Sequence, residues 1–309
     1  RIDDCEANAE LAEEYIRSVD ESPLAVLTDK ANEQHYEVPA PFYQKVLGKN
    51  LKYSSCYFED LVSDLTTSEN KALELTCEHA HLQDGQHILE LGCGWGSLTF
   101  FMANKFPKAK ITAVSNSNDQ RKFIENKCKQ KGIENIHVIT CDMNDFNTDK
   151  KFDRVVSIEM FEHMRNYKVL LHKISNWLND SGKLFVHIFS HNSMVYPYED
   201  NGPGDWMSRE FFSGGLMPSH DLLLNFQEDL KIEKYWKVSG MHYSLTSYAW
   251  LDQMDSNRKR ILKIFDKAYG SNVSKIWFHR WRIFFLACAV MFGMRSGTEW
   301  GVSHYRFRK

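Results

Sequence analysis

Residues 88–97 read Ile-Leu-Glu-Leu-Gly-Cys-Gly-Trp-Gly-Ser, and this stretch decides the fold. Its first four residues are apolar except for Glu90, a composition that predicts a short buried strand. The three glycines then predict a turn, and the apolar residues 98–103 predict the beginning of a helix. An open α/β sheet binds a nucleotide-like ligand at such a unit, because glycines let the backbone approach the ligand and the helix N-terminus offers unpaired N–H groups.

The glycine turn differs from a dinucleotide site in two places. A GxGxxG pattern needs its third glycine at position 97, where this chain has Ser97. Such a site also needs a ribose-binding acid about 20 residues further on, but the second strand, 110–114, runs into Ser115, Asn116 and Ser117. A nicotinamide cofactor is therefore disfavoured. The turn alone is also compatible with a strand–helix connection that binds nothing, so the neighbouring segments decide.

Strand patterns alternate with helical patterns between residues 86 and 190. The predicted strands are 86–91, 110–114, 136–140, 152–158 and 183–189. The predicted helices between them are 97–106, 117–131 and 165–179. Strands separated by helices predict a parallel, doubly wound α/β sheet. Ligands of such a sheet bind at the carboxyl ends of its strands.

The flanking segments have other patterns. Residues 1–30 predict a helical arm, and the aromatic residues of 31–60 are as typical of helix packing as of a lid over the site. The helix that follows is expected to begin at Ser68, as its cap. Beyond residue 190 the sequence predicts an insertion, three helical segments and a closing strand, over 191–215, 219–228, 247–270, 274–294 and 300–307. We expect this region to cover a bound cofactor.

Length and composition narrow the class of protein. The 309 residues are predicted to form one domain, with an arm at 1–80, an α/β core at 81–190 and a substrate-covering part at 191–309. A net charge of −3 gives no electrostatic footprint for nucleic acid. The longest apolar run, 283–294, is about half of a membrane span, so we expect a buried helix and no stable membrane insertion.

Two further features bear on location. Seven scattered cysteines without a CxxC motif are typical of reduced thiols rather than of disulfides or a zinc site. Residues 1–4 are acidic on balance and no apolar stretch follows them, which does not resemble a signal peptide. We therefore expect a cytoplasmic protein. The sequence is also compatible with a homodimer.

Polar residues follow the second and third predicted strands. Gln120 comes one short loop after strand 110–114, where its amide can reach a ribose. Asp142 and Met143 follow strand 136–140, where the carboxylate can accept from an adenine amino group and the thioether can pack on the ring. Each residue alone is equally typical of a protein surface. Their position at successive strand ends favours an adenosine-containing methyl donor.

The strongest catalytic candidates follow the fourth predicted strand. Glu159 and Glu162 are three residues apart and share a face if the segment forms a helical turn, and His163 is adjacent. Such a cluster can hold an ammonium group and take its proton, which frees the lone pair that attacks a methyl carbon. The alternative is a helix N-terminus with solvated acids. No third ligand at a suitable spacing supports a metal, and we expect none.

Aromatic residues in the C-terminal third are candidates for a pocket that binds a cationic or aromatic substrate. A cation over a ring gains roughly 0.5–2 kcal/mol. The alternative for most of these residues is packing in the core. These aromatic candidates are Trp206, Phe211, Phe212, Tyr243, Trp277, Trp281, Phe284 and Trp300. Among them, Trp206, Phe212, Tyr243 and Trp281 are the expected substrate-binding residues.

The combination of motifs resembles a known family. The resemblance runs from about residue 35 to the C-terminus, and its markers are Leu51-Lys-Tyr-Ser54, Glu90 to Gly96, Glu159-Met-Phe-Glu-His163, Asp205-Trp-Met207, Phe211 to Gly215, Met217-Pro-Ser219 and Phe226 to Asp229. These segments are similar to the plant benzylisoquinoline alkaloid N-methyltransferases, which act on coclaurine, tetrahydroprotoberberine or pavine. They are more distantly similar to cyclopropane fatty acid synthases. The resemblance implies a class I methyltransferase fold with S-adenosyl-L-methionine as cofactor.

The resemblance also implies roles for individual residues. Glu159, Glu162 and His163 would form the acid–base cluster, and Glu37 would lie near the substrate amine. The lipid cyclopropanation branch has a bicarbonate-binding cysteine where this chain has Ser55, which argues against cyclopropanation. The residues expected to bind the cofactor are Tyr36, Ser54, Glu90, Gly92, Gly94, Gln120, Asp142 and Met143.

The sequence thus predicts an S-adenosylmethionine-dependent N-methyltransferase that acts on a small amine by direct in-line transfer. We expect Glu162 and His163 to take the proton and Glu159 to hold the ammonium. Two alternatives stay open at this stage. One is a lipid-modifying enzyme similar to cyclopropane fatty acid synthase, and the other is a cofactor-binding module without catalytic activity.

Overall fold

The computed structural model describes residues 4–19, 21–26, 38–60 and 62–309. Within them a mixed sheet of seven strands has the order β3-β2-β1-β4-β5-β7-β6. The strands are β1 His87–Leu91, β2 Lys110–Ser115, β3 Ile136–Thr140, β4 Phe152–Ile158, β5 Leu178–His191, β6 Lys231–Ser239 and β7 Trp300–Arg308. The first five are parallel, and β7 is antiparallel to both β5 and β6.

Helices cover both faces of this sheet. They are α1 Cys5–Val19, α2 Ala40–Val46, α3 Leu65–His79, α4 Ser97–Lys105, α5 Asn118–Lys131, α6 Tyr167–Trp177, α7 Trp206–Glu210, α8 Gly240–Ser256, α9 Arg258–Tyr269 and α10 Ser274–Gly293. Helices α3 and α4 pack on the face that carries Ile88 and Phe185. Helix α6 packs on the opposite face, against Leu89 and Leu184. The predicted doubly wound α/β fold is confirmed.

The order of the strands places the ligand site. From β1 the chain proceeds outward through β2 and β3, and it then returns to add β4 on the other side of β1. The carboxyl ends of β1 and β4 therefore lie at the point where the winding reverses. Open α/β sheets bind their ligands at this point.

Several predicted boundaries are wrong. Helix α3 begins at Leu65 rather than at Ser68, because the Asp64 side chain accepts from the backbone N–H groups of Thr66 and Thr67. Strand β5 begins at Leu178, which pairs with Phe152. The segment predicted as one helix over 247–270 is divided between α8 and α9.

The region predicted as a helix at 219–228 contains only a short 3₁₀ turn, Leu222–Asn225. The next segment is β6, which was not predicted from the sequence. Strand β6 forms an edge of the sheet, and a register shift between Ile232 and Lys234 interrupts the two-residue alternation. The predicted closing strand is confirmed as β7, which lies between β5 and β6.

The aromatic residues before the sheet are divided between two roles. Phe42 and Tyr43 on α2 are fully buried, and the Phe42 ring packs against Phe265 and Trp281. This is the helix-packing alternative. Tyr53 instead lines the cavity described below. Tyr36 and Glu37 lie outside the described residues.

Helix α10 has two different faces. Phe278, Trp281 and Phe285 are fully buried, whereas Ile276 and Ile283 on the other side are each 53% exposed. The prediction of a buried helix therefore holds for one face only. Among the described residues, the segment Ser274–Gly297 is long and apolar enough to cross a membrane, although part of it is buried inside the protein.

Candidate active site

A cavity opens at the carboxyl ends of β1, β2 and β4, the place that the fold predicts. It brings together twelve of the sixteen candidate residues, which are Ser54, Glu90, Gly92, Gly94, Gln120, Asp142, Met143, Glu159, Glu162, His163, Phe212 and Tyr243. Trp206 and Trp281 are not among its lining residues. The candidates expected to bind the methyl donor and those expected to bind the amine therefore share one cavity. We call the parts of the cavity that these two groups line the donor side and the acceptor side.

The glycine turn forms the floor of the donor side. The backbone N–H groups of Gly92 and Cys93 both donate to the Val114 carbonyl oxygen, at 3.0 Å each. Gly92 has a φ of +81°, and a Cβ at this position would lie 2.8 Å from Cβ of Met160. A side chain is therefore excluded here by the backbone angle and by the contact together.

Glu90 closes β1 and is buried beside this turn. Its Oε2 accepts from the Thr99 hydroxyl at 2.6 Å, which joins the strand to the first turns of α4. Burial raises the pKa of Glu90 to about 8, and the hydrogen bond from Thr99 opposes this shift. With no cationic ligand beside it, the carboxyl is therefore largely protonated at pH 7.

Gln120 and Asp142 are held by local hydrogen bonds at the ends of β2 and β3. The Ser115 hydroxyl donates to Oε1 of Gln120 at 2.6 Å, which fixes the buried amide at the cavity wall. The Asp142 carboxylate accepts from the Asn144 N–H at 2.8 Å. The Asn144 side chain in turn accepts from the Ala25 N–H at 3.1 Å, so the segment that follows α1 is anchored beside the donor side.

Glu159 lies immediately after β4 in a strained conformation. Its φ is +49°, a left-handed value that is uncommon for a residue with a side chain. The Ser55 N–H donates to Oε1 at 2.9 Å, and the Tyr243 hydroxyl donates to Oε2 at 2.7 Å. Nε2 of His187 lies 3.1 Å from Oε1. Three different parts of the chain thus hold this carboxylate in place.

The charge on Glu159 is set by opposing effects. Burial raises the pKa of this carboxyl, whereas the Lys52 ammonium and the hydrogen bonds from Ser55 and Tyr243 lower it. The Lys52 ammonium is itself buried and donates to the Ser54 hydroxyl and the Ser55 carbonyl, at 2.6 Å each. No role was predicted for Lys52 from the sequence, although it stands within the Leu51–Ser54 marker.

Glu162 and His163 lie on a 3₁₀ turn, Phe161–His163. Glu159 lies before this turn with a left-handed backbone, so a helical turn that spans Glu159 and Glu162 does not form. Glu162 is 2% exposed, and its Oε2 has no hydrogen-bond partner among the described residues. Burial and the charge of Glu159 raise the pKa of Glu162 well above the usual range of a glutamate. The alternative of solvated acids at a helix N-terminus is therefore wrong.

Aromatic side chains form the acceptor side. The Phe212 ring lies parallel to the imidazole of His163, with ring centroids 5.8 Å apart. Phe284, Trp250 and Tyr53 complete this wall. Phe284 was among the aromatic residues that the sequence offers as pocket lining, whereas Trp250 and Tyr53 were not predicted to bind substrate. Their spacing in sequence resembles that of core aromatics, so only the tertiary fold distinguishes them.

Trp281 and Trp206 occupy other positions. Trp281 is fully buried, with its ring 4.9 Å from Phe42 and 5.1 Å from Phe211, in the core between α2 and α10. Trp206 packs on Phe211 at 5.4 Å. The expectation that Trp281 and Trp206 line the substrate pocket does not hold for the described cavity, because Phe212 and Phe284 provide the lining there.

Comparisons with known proteins identify the family of this chain. A family model for mycolic acid cyclopropane synthetase matches residues 27–299. Pavine N-methyltransferase of Thalictrum flavum subsp. glaucum is 37% identical over 96% of this chain and 84% of its own length. A crystal structure of coclaurine N-methyltransferase bound to N-methylheliamine and SAH has a TM-score of 0.95 at 35% identity, and it covers 99% of this chain and 89% of that one.

Cyclopropane-forming relatives are more distant. Cyclopropane-fatty-acyl-phospholipid synthase of Escherichia coli strain K12 is 25% identical over 87% of this chain and 66% of its own length. The predicted resemblance to the plant N-methyltransferases is confirmed, as is the prediction of an S-adenosylmethionine-dependent enzyme of that class. The chain belongs to the mycolic acid cyclopropane synthetase family, and within that family it groups with the plant N-methyltransferases.

Proposed function

We propose that this protein transfers the methyl group of S-adenosylmethionine to the nitrogen of a small amine, a benzylisoquinoline or a related alkaloid. One observation carries the assignment of the acceptor. Two buried carboxyl groups, Glu159 and Glu162, lie next to each other on the wall of an aromatic-lined cavity. A cationic ligand suits such a pair, because two adjacent buried acids ionise together only with enough positive charge beside them, and Lys52 acts on Glu159 alone of the two.

The donor is assigned to the side of the cavity formed by β1, β2 and β3. The turn at Gly92 and Gly94 would face the amino-acid part of the donor, together with Glu90 and Ser54. Gln120 would bind the ribose. The adenine would lie between the Asp142 carboxylate and the Met143 thioether. Tyr36, which lies outside the described residues, is proposed as a further donor contact on the basis of the family resemblance.

The reaction at the acceptor side has two parts. Glu159 would hold the substrate ammonium, with Glu37 as a further contact, and Glu162 and His163 would take its proton. The freed lone pair attacks the methyl carbon in line with the departing sulfur, which leaves S-adenosylhomocysteine. Catalysis then comes from positioning the two reactants and from excluding water. The acid–base cluster adds a factor of about 10²–10⁴.

The aromatic wall is proposed to select the amine. The Phe212 ring, stacked on His163, faces the same cavity as Tyr243 and Phe284. Flat aromatic substrates would pack on these rings, and their ammonium group would gain roughly 0.5–2 kcal/mol from the ring faces.

Cyclopropanation is disfavoured by the residues at positions 55 and 56. This chain has Ser55 where the lipid-modifying branch has its cysteine, and the Ser55 hydroxyl donates to the Cys56 carbonyl at 3.2 Å. Burial raises the pKa of the Cys56 thiol to about 12, and its Sγ lies 3.8 Å from the Ser54 carbonyl oxygen. A role as a module without activity is disfavoured by the complete set of carboxyl and imidazole groups.

A methyl-transfer assay tests the proposal. Purified protein and labelled S-adenosylmethionine are offered coclaurine, pavine, tetrahydroisoquinolines and simple primary, secondary and tertiary amines, with phospholipid vesicles and bicarbonate in parallel. Label on an amine is the expected result. Label in lipid alone would move the protein to the cyclopropane synthases. Donor binding without any product would support the inactive module.

We also propose a cytoplasmic location and a homodimer. All seven cysteines are free thiols, which supports a reducing compartment. The exposed apolar face of α10 supports association with a second copy. Light scattering on the purified protein tests the dimer, and imaging of a fluorescent fusion tests the location.

A further inference from the structure

Three residues form one row across the sheet next to the active site. In the strand register, His187 on β5 is opposite His304 on β7, and His304 is opposite Trp236 on β6. Opposite residues share a face of the sheet. The last residue of α3, His79, packs on this row, with its ring stacked on Trp236 at a centroid distance of 3.9 Å.

Hydrogen-bond contacts join three imidazoles to the active-site carboxylate. Nε2 of His187 lies 3.1 Å from Oε1 of Glu159. Nδ1 of His187 lies 2.9 Å from Nε2 of His304, and Nδ1 of His304 lies 3.0 Å from Nδ1 of His79. His187 and His304 therefore each use both ring nitrogens. The contacts form an unbroken line from the cavity wall to His79.

The line leads from the interior towards solvent. His187 and His304 are 4% and 3% exposed, whereas His79 is partly exposed. Burial lowers the pKa of all three imidazoles, that of His79 to about 4, so the rings are neutral at pH 7. A neutral imidazole has one N–H donor and one acceptor nitrogen, which is the arrangement that passes a proton along a chain.

We propose that His187, His304 and His79 form a proton relay that carries the proton of the substrate amine from Glu159 to solvent. The inference rests on the proposed function, because methylation of an ammonium substrate releases one proton in each turnover. When donor and acceptor fill the cavity, water is displaced from the reacting nitrogen. The relay provides an exit that does not pass through the occupied cavity.

The proton transfers balance along the line. The ammonium N–H bond breaks as Glu162 and His163 take the proton. Glu159, whose charge acts on Glu162, then receives it at Oε1, next to Nε2 of His187. Glu159 passes this proton to His187, whose Nδ1–H moves to Nε2 of His304. The Nδ1–H of His304 then moves to Nδ1 of His79, and the Nε2–H of His79 leaves to water. One proton enters and one leaves. Once product release opens the cavity, the same transfers run in reverse, with a proton entering at Nε2 of His79 and one leaving Glu159 to water, and this restores the first set of tautomers before the next turnover.

The charges around the three imidazoles disfavour a protonated ring and so favour release of the proton to solvent. Lys52 acts on Glu159, His187 and His304, and it opposes an imidazolium at either buried ring. At the outer end, His79 is surrounded by Glu78, His81, Lys234 and Arg306. Three of these four are basic side chains, so a proton that reaches His79 is released to solvent rather than retained.

The first test is His304→Gln. The glutamine amide can still donate and accept hydrogen bonds, but it does not exchange a proton as imidazole does. We expect kcat at pH 7 to fall by about 10- to 100-fold, with the dissociation constant of S-adenosylmethionine unchanged. Raising the pH above the pKa of the amine should restore kcat towards the wild-type value, because the neutral amine has no proton to lose.

The second test is His79→Ala with added imidazole. This ring is the partly exposed member of the line, so its removal does not open the core. We expect a loss of kcat at pH 7 that millimolar imidazole reverses. His137→Ala, at an exposed position on β3, is the matched control and should show neither the loss nor the rescue.

The outcomes separate the relay from the function on which it rests. An active wild type together with a His304→Gln variant whose loss is independent of pH would overturn the relay alone. Failure of imidazole to restore His79→Ala would do the same. A wild-type chain that methylates no amine at any pH would overturn the proposed function, and the relay with it.

Discussion

Gly92 and Met160 approach each other so closely that a methyl group added to Gly92 would lie 2.8 Å from Cβ of Met160. The two residues follow the neighbouring strands β1 and β4, at the point where the winding of the sheet reverses. The shape of the donor side therefore depends on a contact between the glycine turn and the segment that carries Glu159. This contact links the two halves of the site.

Gly92→Ala should abolish donor binding. It should also lower the free energy of unfolding by more than a left-handed backbone alone costs an alanine, because the added methyl group meets Met160 as well. Gly132→Ala is the matched control, because Gly132 has a φ of +64° and a methyl group added there would meet nothing within 4 Å. The control should lose roughly 1–2 kcal/mol of unfolding free energy and keep donor binding. Calorimetric titration with S-adenosylhomocysteine and urea unfolding measure both effects. Equal losses in the two variants would contradict the prediction.

Glu162→Gln and His163→Ala should each lower kcat by about 10²–10⁴-fold, because both residues take part in removing the substrate proton. The dissociation constant of S-adenosylmethionine should change little in either variant. Steady-state kinetics and calorimetric titration check the two quantities separately. Loss of donor affinity in both variants would instead assign the segment a structural role.

Glu90 should make the unliganded protein less stable as the pH rises. Its folded-state pKa of about 8 lies above the unfolded value near 4.5, so the unfolded chain releases the proton first. Between these two values the free energy of unfolding should fall by roughly 1.4 kcal/mol per pH unit on account of this group.

Glu90→Gln removes this ionisation but keeps a side chain of the same shape. Its stability relative to wild type should therefore increase by roughly 2–3 kcal/mol between pH 5.5 and pH 7.5 in urea unfolding without the donor. Glu134→Gln, at an exposed site, should show no such change. If the difference in unfolding free energy between Glu90→Gln and wild type were the same at both pH values, the raised pKa of Glu90 would be contradicted.

Phe212→Leu should weaken binding of the amine, whereas Trp281→Ala should lower the stability of the protein. Phe212 lines the cavity, so its replacement should raise the KM of the amine by a factor of roughly 2–30, the equivalent of one ring–cation contact. Trp281 is fully buried in the core, and its truncation should cost about 3–5 kcal/mol of unfolding free energy. Thermal unfolding and KM, measured on both variants, test this separation.

The α/β part of the fold could be predicted because its signals are local. The glycine turn and the run of strands and helices from residue 86 to 190 each depend on a few adjacent residues. Strand β6 escaped prediction because its register shift breaks the alternation on which a strand prediction depends. The division between α8 and α9 escaped it too, since Asn257 there donates to the Lys45 carbonyl, 212 residues away.

The candidate site likewise combines residues that the local sequence identifies with residues that only the tertiary fold brings together. Glu159, Glu162 and His163 are neighbours in sequence, so their type and spacing were informative. His304 reaches His187 across 117 residues through strand pairing, and no local pattern reports that contact. Phe212 and Trp281 have the same apolar character in sequence, and only packing decides that one lines the cavity and the other the core.

The position of β7 has a consequence for biosynthesis. Residues 300–308 pair with β5 on one side and β6 on the other, so β5 stays an open edge until this segment has been synthesised. On the ribosome, a nascent chain with the five parallel strands complete would expose the backbone N–H and C=O groups of β5. Such an edge recruits other strands. We expect the growing polypeptide to need chaperone protection during this interval, and truncations before residue 300 to accumulate as aggregates.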